Sequence, residues 1–272
     1  NVYDVIWYRP YANSAAKRDL DKFFDGSVAL YFSRSSWTDA NALWIGLKAG
    51  YNKVNHAHLD LGNFEMDALG VRWARDLGSD DYNLPAYFGK LRYTYYRLQS
   101  TSHNVPLLNG QNQREDATSK FVKHAEGIAE PYAILDFTEA YKDFASSAQR
   151  GMKMVDSRKS ILIQDEFTLA KPAEVVWGVT TDATIQIINP KQAELTLGGQ
   201  KMTAKILSPA NAVFAVESAS QLAPQKLNTG VNRLLAKVPE TSGNVILTAL
   251  LAPQWAGSTT ETAVVQPLSE WK

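Results

Sequence analysis

After its first two dozen residues the sequence is a succession of short β-rich runs with no long helical period between them. That pattern restricts the fold more than any other feature. Val28 to Ser33, Ala42 to Leu47, Val71 to Asp76, Ile134 to Phe137, Ser160 to Ile163, Val175 to Thr180 and Thr184 to Ile188 are rich in β-branched and aromatic residues. Ala212 to Val216, Leu234 to Val238 and Val245 to Leu251 continue the series. Between Ala193 and Ile206, Leu195 and Leu197 alternate into Gly198-Gly199, and Met202, Ala204 and Ile206 alternate out of it, which predicts a two-residue hairpin. A parallel, doubly wound sheet needs a helix between successive strands, and none is spelled out here. The expectation is an all-β fold, an antiparallel multi-stranded β-sandwich. One exception precedes it: Asn13 to Phe24 places Ala16, Leu20, Phe23 and Phe24 on a helical period, which predicts one short N-terminal helix.

The 272 residues, 45% hydrophobic, are enough for one large sandwich with a substantial core. The expected division is 1–24 as linker and short helix, 25–258 as the sandwich, and 259–272 as a C-terminal arm. The polar, strand-poor stretch Ser218 to Thr229 is expected to be a long surface connection or the boundary of a smaller sub-sheet from about 218. Lys plus Arg and Asp plus Glu each total 28, so no whole-chain charge draws the protein to nucleic acid or to an anionic membrane. With no cysteine, disulfide scaffolds, thiol nucleophiles and Cys-ligated zinc are excluded. The start at Asn1 rather than Met suggests a chain processed or cut from a longer one.

Of four histidines, two stand at i, i+2 in Asn55-His56-Ala57-His58-Leu59-Asp60. On a strand this spacing would put His56, His58 and Asp60 on one face and Ala57 and Leu59 on the other. An ordinary solvated strand face explains such a stripe equally well. Asp76 sits just before the turn at Gly78, and His103-Asn104 opens the apolar run Val105 to Leu108. Two imidazoles and a carboxylate with a free position suit zinc, and also manganese or iron. The glycines flanking His56-Ala57-His58 also imitate the first signature of a cupin barrel, but Gly62 and Asn63 occupy the places where its acidic ligand belongs, and Glu65 comes too late. His124 lies in no motif and is assigned to surface or core.

At these residues the chain resembles the β-sandwich portion of the heparinase II/III-like polysaccharide lyases. The resemblance rests on Asp25-Gly26, Ser33-Arg34-Ser35-Ser36-Trp37, the Leu43 to Gly50 run, His56-Ala57-His58-Leu59-Asp60, Gly62-Asn63-Phe64, Gly70 through Asp76-Leu77-Gly78, Ser102-His103-Asn104-Val105 and Asn109-Gly110. It covers about residues 25–113 clearly. It implies a catalytic role for His56 and a metal site, usually described as zinc, at His58, Asp76 and His103. Alginate-cleaving relatives add a tyrosine between the Asp and His ligands, for which Tyr93 is the candidate, while Tyr82, Tyr87, Phe88, Tyr95 and Tyr96 are expected in the core or on a sugar-stacking surface.

The resemblance further implies an α/α toroid upstream that carries the rest of the active site, an acidic uronate polysaccharide such as heparan sulfate or alginate as substrate, and a bacterial periplasmic or secreted location. The short helix would then be the toroid's end. Eight cations against five acids between Arg72 and Lys123 would favour such a substrate, although an ordinary solvated surface has the same composition. Three functions remain open: a lyase that needs its helical domain, a module that binds carbohydrate or packs on a partner domain without turnover, and a cupin-like metalloenzyme with Glu65 at the metal.

Overall fold

The computed structural model describes residues 18–257 and 263–272. The strands are β1 (Asp21–Phe24), β2 (Val28–Arg34), β3 (Trp44–Tyr51), β4 (Phe64–Ala68), β5 (Val71–Ala74), β6 (Leu107–Leu108), β7 (Thr118–Ala125), β8 (Tyr132–Asp136), β9 (Ala145–Val155), β10 (Ser160–Thr181), β11 (Thr184–Asn189), β12 (Gln192–Leu197), β13 (Gln200–Ser208), β14 (Val213–Ser218) and β15 (Asn232–Pro253). Every pairing between them is antiparallel, in the order β1-β2-β3-β7-β8-β9-β10-β15-β13-β12-β11, with β4 and β5 beside β3, β6 beside β10 and β14 beside β15. This order has two free edges, so the sheet does not close into a barrel. It wraps one apolar core instead, to which Tyr31, Ile45, Phe64, Trp73, Leu135, Ile163, Trp177, Leu195 and Leu247 all contribute.

Several apparently separate runs merge. Ser160 to Ile163 and Val175 to Thr180 belong to the single 22-residue β10, and Leu234 to Val238 and Val245 to Leu251 to the equally long β15. The register between them shifts between Leu169 and Val175. Pro172 falls in that shift, where a residue without an N–H costs the ladder least. The hairpin forms as expected: Leu197 faces Gln200, and Gly198 and Gly199 take φ of +57° and +78°, as a tight turn between twisted strands requires.

The short helix is corrected in its described part. Residues 13–17 lie outside the described residues, and Asp21–Phe24 is strand β1, paired with β2 from Asp21↔Ser33 to Phe24↔Leu30. Tertiary bonds outweigh the local period: Asp21 takes hydrogen bonds from Ser33 and from the backbone of Gly127, and a two-pronged ion pair from Arg158. The 219–231 connection leads back to the same sheet, since β14 pairs with the start of β15, so no separate sub-sheet begins at 218. Within the expected C-terminal arm, Leu268 and Trp271 are buried against β8–β10 rather than trailing. No helix among the described residues is long and apolar enough to cross a membrane.

Candidate active site and metal centre

Residues 52–63, joining β3 to β4, form a loop rather than the expected strand, and His56 occupies the left-handed region at φ 60°. Alternation survives only from residue 57 on: Ala57 and Leu59 turn into the core, while His58 and Asp60 turn to a shared cluster. The loop is held through its backbone. Arg92 donates to the Ala57 carbonyl (2.7 and 3.1 Å), Ser100 donates its hydroxyl to Leu59 O (2.7 Å), and the Gln113 amide clasps both the N–H and the carbonyl of Leu61. Three single-turn 3₁₀ helices, Arg92–Thr94, Tyr96–Leu98 and Ser100–Ser102, then deliver His103 to the same place.

His58, Asp60, Asp76 and His103 offer ligand atoms that all lie within 4.8 Å of one another. His103 is completely buried, with Nδ1 2.8 Å from Asp76 Oδ2, and its ring centroid is 5.2 Å from that of His58. Asp76 also accepts from the Asn63 side chain (2.9 Å) and from the Gly78 N–H (2.6 Å). Asp60 is committed to Lys48. The expected ligand set of His58, Asp76 and His103 is therefore brought together, and Asp60 joins it as an ion-paired neighbour.

Electrostatics distinguish the members. Burial, reinforced by the neighbouring His103, pushes the His58 imidazole down to about 4, so its lone pair is free at neutral pH. Burial alone would lower His103 as well, but the Asp76 carboxylate outweighs it and raises the imidazole. Burial alone would raise Asp76, yet His103 and the Gly78 N–H hold it below the usual carboxylate range. The donor set suits a divalent ion: two imidazoles, a carboxylate, and a buried His103 Nε2 that has no hydrogen-bond partner among the described residues.

A second tier of groups holds this cluster, and the sequence reading missed it. Asn104 donates to Phe64 O, accepts from the Thr180 N–H through its side chain, and bonds Asn63 Oδ1 through its backbone N–H. Beneath it, Arg150 is fully buried, paired in two prongs with Asp165 (2.7 Å each) and donating to Gly62 O (2.7 Å) and Asn104 O (2.6 Å). The available signal was a charged residue at an inward position of two apolar strands, Arg150 between Ala148 and Met152 and Asp165 two residues after Ile163.

His56 does not enter the cluster. It is exposed, stacked near Tyr82 (centroids 5.9 Å, Tyr82 hydroxyl to Nδ1 3.4 Å) and met edge-on by Phe88. Tyr93 stands apart from both, donating its hydroxyl to Asn52 O and so bracing the start of the loop. Burial raises its phenol. Glu65 is not a ligand: one oxygen accepts the Asp76 N–H and the other pairs with Arg72, which together with the open sheet removes the cupin alternative. The basic stretch is largely spent locally, Arg72 on Glu65 and Asp67, Arg75 on Asp182, and Arg114 on Asp116 and Asp143. His124 is half-buried, stacked on Phe23 at 4.4 Å.

Fold and site together define an antiparallel β-sandwich domain with a partly buried imidazole–carboxylate cluster and, two residues before its first histidine, an exposed, aromatic-flanked His56. More particularly, the chain belongs to the heparinase II/III-like family: the model of that family's C-terminal domain matches residues 35–258. The family is one of polysaccharide lyases. Among solved structures, a heparinase III, the BT4657 gene product, superposes with a TM-score of 0.74 at 19% identity over 89% of this chain and 37% of that one. The heparan sulfate lyase HepC from Pedobacter heparinus gives 0.75 at 18% identity over 92% and 39%. A further heparinase III gives 0.70 at 15% identity over 86% and 36%. The chain thus spans less than two-fifths of the length of these relatives, and at such identities the likeness is one of fold. No curated protein matches the sequence.

Proposed function

We propose that this chain is the sandwich portion of a lyase that cleaves an acidic, uronate-containing polysaccharide such as heparan sulfate or alginate by β-elimination, with the remainder of its cleft on an upstream helical domain. The observation that carries the reading is the pairing of a three-ligand cluster around the buried His103 with His56 exposed two residues before its first ligand, between Tyr82 and Phe88. In β-elimination the C5 proton leaves to a base, the C4–O bond breaks, and the electron pair forms the C4=C5 double bond while an acid protonates the departing oxygen. An imidazole suits either proton transfer near neutral pH, and in this reading His56 serves as base or acid according to the sugar epimer. Tyr82 is the phenol within reach of it.

A divalent ion, zinc in the first instance, would be held by His58, Asp76 and His103 and would supply folding free energy by tying three chain segments together. His58 and the Arg92 clasp on the Ala57 carbonyl then fix the backbone just after His56 and so its direction. The same reading carries a periplasmic or secreted location. The test is a longer chain that includes the upstream domain, assayed for the ultraviolet absorbance of the unsaturated product. His56→Ala should remove that product by at least a hundredfold in rate with an unchanged melting curve. A rate within threefold of the parent would refute the assignment.

A further inference from the structure

The outer face of the β1–β3 layer carries a patch that the proposed chemistry does not use. Register places Lys22 beside Phe32, Phe32 beside Gly46, and Arg34 beside Trp44. Tyr31 and Ser33 turn inward, so strand alternation sends Phe32 and Arg34 to the outside. The Phe32 and Trp44 rings lie nearly parallel, with centroids 5.9 Å apart and planes at 23°. Gly46 makes room for them, since a Cβ there would stand 2.9 Å from the Phe32 ring. Beside this pair the Arg34 guanidinium lies 3.7 Å from the centroid of Trp37, which is 46% exposed, and Arg18 lies 5.4 Å from the same centroid.

These groups line an open groove of about 670 Å³. Arg18, Lys22 and Arg34 have no carboxylate partner among the described residues, and Asp19 is the one acid in the wall. The arginines of the 72–114 segment, by contrast, are mostly paired. Phe32 and Trp44 also wall a smaller cleft, about 190 Å³, which reaches Asp60 and Asp76 of the cluster and Asn63 beside them. The groove and the site therefore share a wall.

We propose that this face is a binding platform for an anionic saccharide, with sugar rings stacked on Phe32, Trp44 and Trp37 and their carboxylate or sulfate groups met by Arg34, Lys22 and Arg18. The choice of a saccharide among anions rests on the lyase reading. The choice of an anion rests on the groove itself: a protein domain packed over it would have to desolvate three cations that have no carboxylate partner among the described residues, whereas a hydrated acidic sugar leaves them at the rim and supplies their counter-charge. Flat apolar rings between cations match the C–H faces of pyranoses that carry charged substituents.

The experiment is calorimetric titration of the 272-residue chain with a hexamer of uronic acid and with a neutral glucan hexamer. The acidic hexamer should bind at least tenfold more tightly than the neutral one. Arg34→Gln and Trp37→Ala should each weaken it at least fivefold with melting curves like the parent's, while Lys171→Gln, an exposed position on β10 outside the groove, should leave it within twofold. If Trp37→Ala does not fold, Arg34→Gln decides alone. No binding, equal binding of the two hexamers, or affinities untouched by Arg34→Gln would overturn the platform. Protection of Trp37 from oxidative labelling in a longer chain without sugar would show that protein covers the face, and would overturn it too. Failure of the longer chain to cleave any uronate polymer would instead sink the lyase reading and leave these affinities standing.

Discussion

Replacing Arg150 by methionine removes more than one ion pair. The guanidinium is fully buried and makes four bonds, two to Asp165 and one each to the carbonyls of Gly62 and Asn104. Its loss leaves a buried carboxylate uncompensated, which costs about 3–5 kcal/mol. Each orphaned carbonyl adds on the order of 1 kcal/mol, not fully additively. Arg150→Met should therefore lose about 4–5 kcal/mol in urea titration of chelator-treated protein, or on the order of 10 °C in melting temperature. Burial pushes the Asp165 carboxyl up despite the guanidinium beside it, the mark of a pair whose desolvation outweighs its attraction. Arg150→Met/Asp165→Leu should accordingly recover at least half of the loss. Because Gly62 and Asn104 adjoin Asn63 and His103, the single variant should also bind zinc at least tenfold more weakly. Gly151→Ala, whose added Cβ would stand 2.3 Å from Leu268 and 2.7 Å from Trp271, serves as the matched control: it should destabilise by displacing the C-terminal segment and leave zinc affinity nearly intact. A loss below about 1 kcal/mol for Arg150→Met, or equal zinc affinity in the two variants, would refute this account of the network.

Two further outcomes concern the cluster directly. Metal analysis of the purified chain should find about one zinc per chain, absent in His58→Ala, and a chelator should lower the melting temperature of the parent but not of the variant; a metal-free parent with an unchanged melt would remove the site. In metal-free protein the two imidazoles act in opposite directions with pH. His58 titrates near 4 when folded and near its ordinary value of about 6.5 when unfolded, so the unfolded chain binds the extra proton and stability falls as pH drops below about 6.5, by about 2 kcal/mol at pH 5. His103 is raised in the folded state, so its contribution is complete below about 6.5 and is lost as pH rises through its folded value. The cluster should thus stabilise most near pH 6.5, and a His58→Gln variant whose acid-side curve still parallels the parent's would contradict the His58 shift.

Most strands, though not β4, β7 or β9, the Gly198-Gly199 hairpin and the residue types of the candidate site are legible in the chain alone, because a two-residue period and a two-glycine turn are local properties that each stretch carries by itself. The β1 segment reads as helix because Phe23 and Phe24 fit a helical period as well as a strand, and the deciding bonds come from Ser33, Gly127 and Arg158, up to 137 residues away. His58, Asp76 and His103 could be named from the sequence through their resemblance to a family, but not shown to meet. Intervals of 18 and 27 residues fix no distance, and the convergence comes from Gln113, Asn104 and Arg150 gripping the backbone of separate loops. His56 was expected on the face of His58 and instead points away, toward Tyr82, because a left-handed turn breaks the strand just before Ala57. Local pattern chose the strands and their faces. Which loops lie side by side, and hence which charges are buried together, was decided only when the sheet wrapped around its core and every polar group left inside had to find a partner.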